Sequence, residues 1–396
     1  MENRRNFLKK TSFAIGGLSL GLGPMILKGR SKNDIINVGV IGTGDRGTGL
    51  IRIMKNIPEL RVLGCCDIIP FRLEAALSHA DEKATGYTDY RKMIENKDID
   101  AIIISTPFSL HNDMALDVLN SEKHIYCEKT MVRGIRETIQ LVKKVQRSKH
   151  IFQVGHQYHH SRLYLEIIEQ IRSGYIGDVT TFECQWNRNG NWRRPVPNPK
   201  WERMINWRMY REYSGGLAAE LSSHQIDFCN WVTGNHIERM TGFGGIDYWK
   251  DGRETFDNIH LTAAYPNGVK ARFTCMTNNA HNGYMIVVKG TKGTFVIKPT
   301  SATIYVESNL VKNLGLVDGV SGATIQNLKE GKGQKLDTHH GDPTKQALLD
   351  FAENIRENKK PLSNVESGAL VSISVQMALD ALHKGGIQKW KSDYDI

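Results

Sequence analysis

At 396 residues the chain is longer than one hydrophobic core usually organises, so two domains, or one with a large extension, are expected. With 40% hydrophobic and 24% charged residues and no repeat period or low-complexity tract, the composition excludes a disordered, fibrous or solenoid protein. The formal charge is +10, but residues 1–30 hold six of the 52 basic and one of the 42 acidic side chains; the modest excess beyond them is spread thinly and gives no basis for nucleic-acid or membrane binding.

In chain order the first feature is Asn3-Arg4-Arg5-Asn6-Phe7-Leu8-Lys9-Lys10, followed by an uncharged, Gly- and Leu-rich run from Thr11 to Leu27. A basic stretch ahead of an apolar one is a targeting signal, and this one is too polar for a stable membrane span. The arginine pair with Phe-Leu-Lys behind it resembles a twin-arginine export signal, a route that carries folded proteins. The expectation is a periplasmic protein in which residues 1–30 serve export, with an ordinary secretory signal or an uncleaved anchor as alternatives.

Asn37 to Ile41 reads as a short apolar strand, and Gly42-Thr43-Gly44-Asp45-Arg46-Gly47 then opens a helical pattern carried by Leu50, Ile51, Ile53 and Met54. The first glycine permits a tight turn, the second lets the backbone approach a pyrophosphate, and the third lets helix and strand pack closely. Amides at the helix start, around Asp45 and Arg46, would face the phosphates of a dinucleotide. A second strand, Leu60 to Cys66, ends in Asp67, where an acid binds the adenosine ribose and favours NAD over NADP; an ordinary helix-leading Asp is the alternative, and Arg72 lies close by. The buried run Asp100 to Ser105 leads into Thr106-Pro107-Phe108 and a helix from about His111. The strand His124 to Cys127 ends in Glu128-Lys129-Thr130. Strands alternating with helices predict a parallel sheet with ligands at the carboxyl ends of its strands, which places Lys129 at such an end.

A strand over Ile151 to Gly155 runs into His156-Gln157-Tyr158-His159-His160 and a helix to about Ser173. Polar rings here, Tyr158 and His159 among them, suit hydrogen bonds to hydroxyl groups, with helix capping and packing as the alternative. A strand from Asp178 to Trp186 leads to a long loop, Asn187 to Asn206, containing Trp192, Arg193 and Arg194, with Arg208 and Tyr210 shortly after. Loops this long inside compact domains are usually functional or form oligomer arms. Trp faces stack on the C–H faces of sugars while guanidinium groups hold hydroxyls. After Gly215-Gly216, a helix carries Glu220, His224 and Asp227 at i, i+4 and i+7, so all three are expected on one face, with a carboxylate one turn from the imidazole. Glu254 to Cys275 and Tyr284 to Val306 alternate apolar and polar residues as a largely antiparallel sheet with one covered face. A Gly-rich stretch from Gly315 to Gly341 precedes Asp342-Pro343, a helix start reaching about Asn358, and a last helix spans about Val365 to Lys384. The six cysteines lack ligand or framework spacing, so buried thiols are expected and no metal site is.

The glycine-loop strand, the Thr106-Pro107…His111 turn, Glu128-Lys129 and the Gly-Gly…His…Asp helix together resemble the glucose-fructose oxidoreductase, inositol dehydrogenase and rhizopine-catabolism protein family over nearly all of residues 35–390. The resemblance implies an α/β fold: an N-terminal Rossmann dinucleotide-binding domain (31–152), then an α+β domain with a large, mostly antiparallel open sheet (153–341). Helices at 342–396 return toward the first domain. It implies NAD held by Gly42, Gly44, Asp45, Arg46, Gly47, Asp67, Thr106, Pro107, His111, Glu128 and Lys129. It also implies catalysis by Lys129 and His224, and a dimer or tetramer formed through the sheet. Three departures stand out. Thr130 replaces the family's proline, whose preceding peptide is often cis; Glu220 stands where Asp is usual; and the segment 156–160 lacks a common arginine. Glu220, Asp227, Tyr158, His159, Trp192, Arg193, Arg208 and Tyr210 are the expected substrate contacts. The activity implied is NAD-dependent oxidation of a ring hydroxyl of a sugar or glycoside, at C3 for instance, with cofactor retained and recycled internally. The alternatives are an NAD-dependent redox glycosidase, whose relatives carry a different His-Gly segment, and a non-catalytic binding module.

Overall fold

The computed structural model describes residues 35–307, 331–336 and 341–396. The export signal expected over residues 1–30 lies outside these residues, as does most of the Gly-rich stretch from Gly315.

The first half is a six-stranded parallel sheet. Its strands are β1 (Ile36–Ile41), β2 (Leu60–Cys66), β3 (Thr85–Tyr87), β4 (Ala101–Ile104), β5 (His124–Cys127) and β6 (Phe152–Val154), in the order β3-β2-β1-β4-β5-β6. Every residue of β4 is buried because helices cover both faces, which is why that strand reads as an unbroken apolar run. On one face α1 (Asp45–Met54) supplies Leu50, Ile51 and Met54. Between β2 and β3 the chain forms α2 (Pro70–Leu77). On the other face lie α3 (Tyr90–Ile94), α4 (His111–Asn120) and α5 (Ile135–Gln146), with Met93, Val118 and Leu141 in the core. Strand order reverses between β1 and β4, so the crevice that accepts a ligand in doubly wound sheets opens at their carboxyl ends.

After α6 (Arg162–Arg172) comes β7 (Val179–Asn187), the centre of a nine-stranded sheet. Past α7 (Ser223–Thr233), the meander β8 (Arg239–Gly245), β9 (Asn258–Ala264), β10 (Lys270–Met276) flanks β7 on one side. The run β11 (Tyr284–Gly290), β12 (Gly293–Lys298), β13 (Ser301–Val306), β14 (Gln334–Leu336) flanks it on the other. The sheet is largely antiparallel, as expected, with one exception: β10 pairs parallel with β7, which makes it formally mixed. Two meanders placed on either side of one strand need not run in the same sense relative to it, and here β11 is antiparallel to β7 while β10 is not. Alternation sends Ala271, Phe273 and Cys275 inward and leaves Lys270 and Arg272 exposed.

Two helices close the chain. In α8 (Pro343–Glu357) Asp342 caps the start by accepting from the Thr344 amide at 2.8 Å, and Phe351 packs edge-on against Tyr126 of β5 at 5.7 Å. Gln153 in β6 donates to the Ala347 carbonyl at 2.8 Å, so this helix is fastened to the parallel sheet. α9 (Val365–Lys384) is apolar and long enough to cross a membrane by length and composition, but 61% of that stretch is buried, against α5, α7 and β8. The short β15 (Gln388–Lys389) then pairs with β8 at the edge of the large sheet. All six cysteines are buried free thiols, and Cys184 and Cys229 lie with sulfurs 3.8 Å apart.

Candidate active site

The glycine loop is shaped by close approach. A Cβ on Gly47 would lie 2.0 Å from the Gly42 carbonyl oxygen, and one on Gly42, at φ +85°, would meet the Ser105 backbone at 2.9 Å. Larger residues at either place would push α1 off the sheet. No side chain caps the start of α1 at Gly44, so its first-turn amides face the crevice as an anion cradle. Ser105, just past β4, donates to the Gly42 carbonyl at 2.6 Å and fixes the loop from below.

Asp67, at the end of β2, is 8% exposed, and its carboxylate accepts from the amides of Thr43 at 2.8 Å and Ile69 at 2.9 Å. It therefore braces the loop and leads the next helix. Oδ2 also accepts from the Thr43 hydroxyl at 3.3 Å, while Oδ1, with the Ile69 amide alone, keeps acceptor capacity for a ribose hydroxyl. Arg72 lies beside Gly44, 3.4 Å from where a Cβ would stand.

The turns after β4 and β5 are tied together by His111, whose ring nitrogens sit 3.0 Å from the carbonyls of Thr130 and Thr106. Glu128 holds Arg46 of the glycine loop at 2.7 Å. The Lys129–Thr130 peptide is cis although no proline follows. Thr130 Oγ1 donates to the Ala219 carbonyl at 2.9 Å, and Lys129 Nζ donates to the Glu220 carbonyl at 3.0 Å.

Those carbonyls are available because Ala218–Ser222 winds as a π-helical turn ahead of α7. Glu220 in this turn and His224 just past it both line the cleft, as expected, whereas Asp227, three residues further along α7, does not. Glu220 points to Arg208, its Oε2 2.8 Å from Nε. Burial favours the protonated carboxyl, but Arg208 and Lys129 hold it below the usual range. Asp227 turns the other way, bonding His159 Nε2 at 2.9 Å, with His156 Nδ1 3.9 Å off. His159 stacks on Trp231 at 4.2 Å, so Asp227 and His159 form a buried layer behind the cleft and do not line it.

His224 is 4% exposed and lines the cleft with Lys129. Its ring packs against Tyr158 at 5.4 Å, Trp186 at 5.5 Å and His156 at 5.8 Å. Nδ1 is buried without a partner among the described residues, leaving Nε2 to meet the cleft. Burial, reinforced by the Lys129 charge, holds its pKa well below 6.5, so the imidazole is neutral at physiological pH. Burial likewise lowers Lys129, opposed by Glu220 and Glu128.

The cleft, about 410 Å³, brings together Asp45, Arg46, Thr106, His111, Glu128, Lys129, Trp192, Arg208, Glu220 and His224 from the expected set. Tyr158 supports it from behind, stacked on Tyr164 at 4.5 Å. Two further expected contacts are placed elsewhere by their own partners. Arg193 is engaged by Asp251 at 3.2 Å and by Glu202, and the Tyr210 hydroxyl donates to Glu202 at 3.0 Å, so both brace the long loop. Sequence reasoning overlooked Ser105, Gln157, Trp186, Arg188 and Trp207 as cleft residues, and had named Arg194 only as a loop residue. Trp186 and Arg188 had a signal, since they stand at and just past the end of the strand that leads into the long loop. Arg194 reaches Asp45 of α1 at 3.0 Å, carrying the loop to the dinucleotide cradle. Among the described residues no group of three His, Cys, Asp or Glu side chains is arranged to hold a metal ion.

Comparison with known proteins agrees with this layout. Residues 36–156 match the oxidoreductase family, NAD-binding Rossmann fold, and residues 164–296 match the GFO/IDH/MocA C-terminal domain. A glycosyl hydrolase family 109 protein of Shewanella baltica is 27% identical over 233 residues, 52% of this chain. The chain spans about half, 50%, of that curated relative. The solved myo-inositol 2-dehydrogenase of Lactobacillus plantarum superposes with a TM-score of 0.71 at 18% identity, covering 90% of this chain and 100% of its own. A levoglucosan dehydrogenase in complex with NADH and levoglucosan gives 0.71 at 18% identity, over 89% and 99%. At such identity these structures show the fold. The uncapped start of α1 and the glycine cradle fit the dinucleotide that the matched Rossmann domain binds.

Proposed function

Because the chain belongs to the GFO/IDH/MocA oxidoreductase family, we propose that it oxidises a ring hydroxyl of a sugar or glycoside with NAD. The observation that carries this reading is the meeting of a neutral, buried His224 with Lys129 in one cleft walled by Trp186, Trp192 and Trp207. The glycine loop, Asp67, Thr106, Pro107, His111 and Glu128 would hold the cofactor, which supplies the hydride acceptor when bound.

The chain's own residues handle the proton and the position. The substrate carbon gives up a hydride, and His224 Nε2 takes the proton of the hydroxyl on that carbon, leaving a carbonyl. Lys129 Nζ is held by the Glu220 carbonyl and keeps further N–H donors for the oxygen as charge develops on it. The indole faces would stack on the ring and fix which hydroxyl reaches His224. Oxidation at C3 of a glycoside would acidify the neighbouring C–H.

The same reading includes export in folded form, cofactor carried inside and recycled by a second sugar, and association of copies through the open face of the large sheet. Phe243 stands 83% exposed on β8. The likeness to the Shewanella glycosyl hydrolase favours a second reading, a redox glycosidase, and products separate the two. A keto-sugar indicates the dehydrogenase, a free reducing sugar the glycosidase.

The test is to denature the untreated protein before and after incubation with glycosides and to analyse the released nucleotide. Stoichiometric NAD that becomes NADH with one glycoside class supports the proposal. Lys129→Met and His224→Ala should each lower turnover by about 10²–10⁴-fold with nucleotide still bound. Near-full activity in either variant overturns its role. A protein without nucleotide and without turnover when NAD is added overturns the enzyme reading.

A further inference from the structure

The charges lining the cleft are nearly all matched. Arg46 has Glu128 at 2.7 Å, Arg208 has Glu220 at 2.8 Å and Arg194 has Asp45 at 3.0 Å. Lys129 is docked on a carbonyl. Arg188 differs from all of these. Its backbone amide continues the sheet by donating to the Met276 carbonyl at 2.8 Å, while its guanidinium has no carboxylate within ion-pair distance and no side-chain hydrogen bond among the described residues.

What Arg188 does have is two aromatic faces, Trp186 at 5.4 Å and Trp192 at 5.6 Å from the guanidinium carbon. Contact with indole faces restrains the group and leaves its in-plane N–H donors for a ligand. Partial burial disfavours its charge and Arg208 in the same cleft repels it, a condition that a bound anion relieves and a neutral hydroxyl does not.

Building on the oxidoreductase reading above, we propose that the substrate ring carries a carboxylate, as in a glycuronoside, and that Arg188 binds it. A single planar guanidinium matches a planar monoanion through two parallel hydrogen bonds. A phosphate dianion would leave a second charge unmatched. Nor does Arg188 belong to the dinucleotide cradle, where Arg46 and Arg194 stand. Arg208 of the cleft and, outside its lining, Cys275 and Tyr158 are the groups that share its field.

The experiment compares methyl glucuronoside with methyl glucoside of the same anomer, and with the 6-sulfate and 6-phosphate of that glucoside, using the holoenzyme and reading cofactor reduction. The expected kcat/KM for the glucuronoside exceeds that for the glucoside by at least about 10-fold, equivalent to about 1.4 kcal/mol. Rising salt should shrink that ratio. In Arg188→Met the ratio should fall to about one with the bound nucleotide content unchanged, and Arg188→Lys should fall between. Quenching of tryptophan fluorescence by the glucuronoside reads binding independently. A wild-type ratio of one or less, a preference for the sulfate or phosphate, or loss of nucleotide from Arg188→Met overturns the assignment. If none of the four compounds, nor any other glycoside, is oxidised, the underlying oxidoreductase reading fails instead.

Discussion

Glu220 acts on Lys129 twice, through its carbonyl, which docks the ammonium, and through its carboxylate, which is the largest influence opposing the effect of burial. If Lys129 must be charged to stabilise the developing oxyanion, activity is lost as pH rises through a lysine pKa held below 10.5. Glu220→Gln removes the opposing charge, so the alkaline limb of the kcat/KM profile should move to lower pH; an unchanged limb would show that Lys129 is not the titrating group. His224 has the opposite requirement, since it must be neutral to accept a proton. Its lowered pKa puts the acid limb well below 6.5. The place of Lys129 and His224 in the cleft was legible from a strand end, a Gly-Gly lead-in and the family resemblance together. Asp227 was misassigned for a physical reason. Its partners His156 and His159 lie far away in sequence, and no periodicity within one helix records them.

The elements that carry the site meet at the π-helical turn, where Thr130 from the β5 turn bonds the Ala219 carbonyl. That carbonyl also accepts from Ser223 Oγ at 2.6 Å, so Thr130→Val leaves it partnered. The expected cost is about 0.5–1.5 kcal/mol, read as a Tm lower by a few degrees. A larger fall in turnover than in stability is also expected, because the Lys129 backbone loses its anchor; turnover that stays at the wild-type level would show that the contact is only structural. Most elements could be read directly: buried runs gave the parallel strands, and Asp342-Pro343 marked the start of α8. The π-helical turn could not, because α- and π-helical windings draw on the same residue types and differ only in which tertiary partner claims the carbonyls. The parallel pairing of β7 with β10 was equally hidden, since alternation shows which face is buried and not which strand lies alongside.

Across the whole molecule, the buried histidines set the acid tolerance. His111, His156 and His224 have pKa values below 6.5, about 4 for His156, with burial the largest cause in each. In the unfolded chain these groups take up protons as pH falls through 6.5, while the folded protein resists protonation, so stability is lost in the window from 6.5 toward 4. The lowered carboxylates Glu220 and Asp227 extend the loss to lower pH. The Tm at pH 5 should lie several degrees below that at pH 7.5, measured by calorimetry at constant ionic strength. A flat Tm over that interval would mean that these rings are solvated.

The buried thiols give the protein a built-in clock. Cys65, Cys66 and Cys127 lie in the parallel sheet, Cys184 and Cys275 in the large one and Cys229 on α7, and burial raises the pKa of Cys65 and Cys275 to about 12. With all six thiols buried, a native molecule should be silent to alkylating reagents, which attack thiolates. During slow denaturation, each peptide that acquires a label reports which sheet has parted first, with no mutation or dye needed.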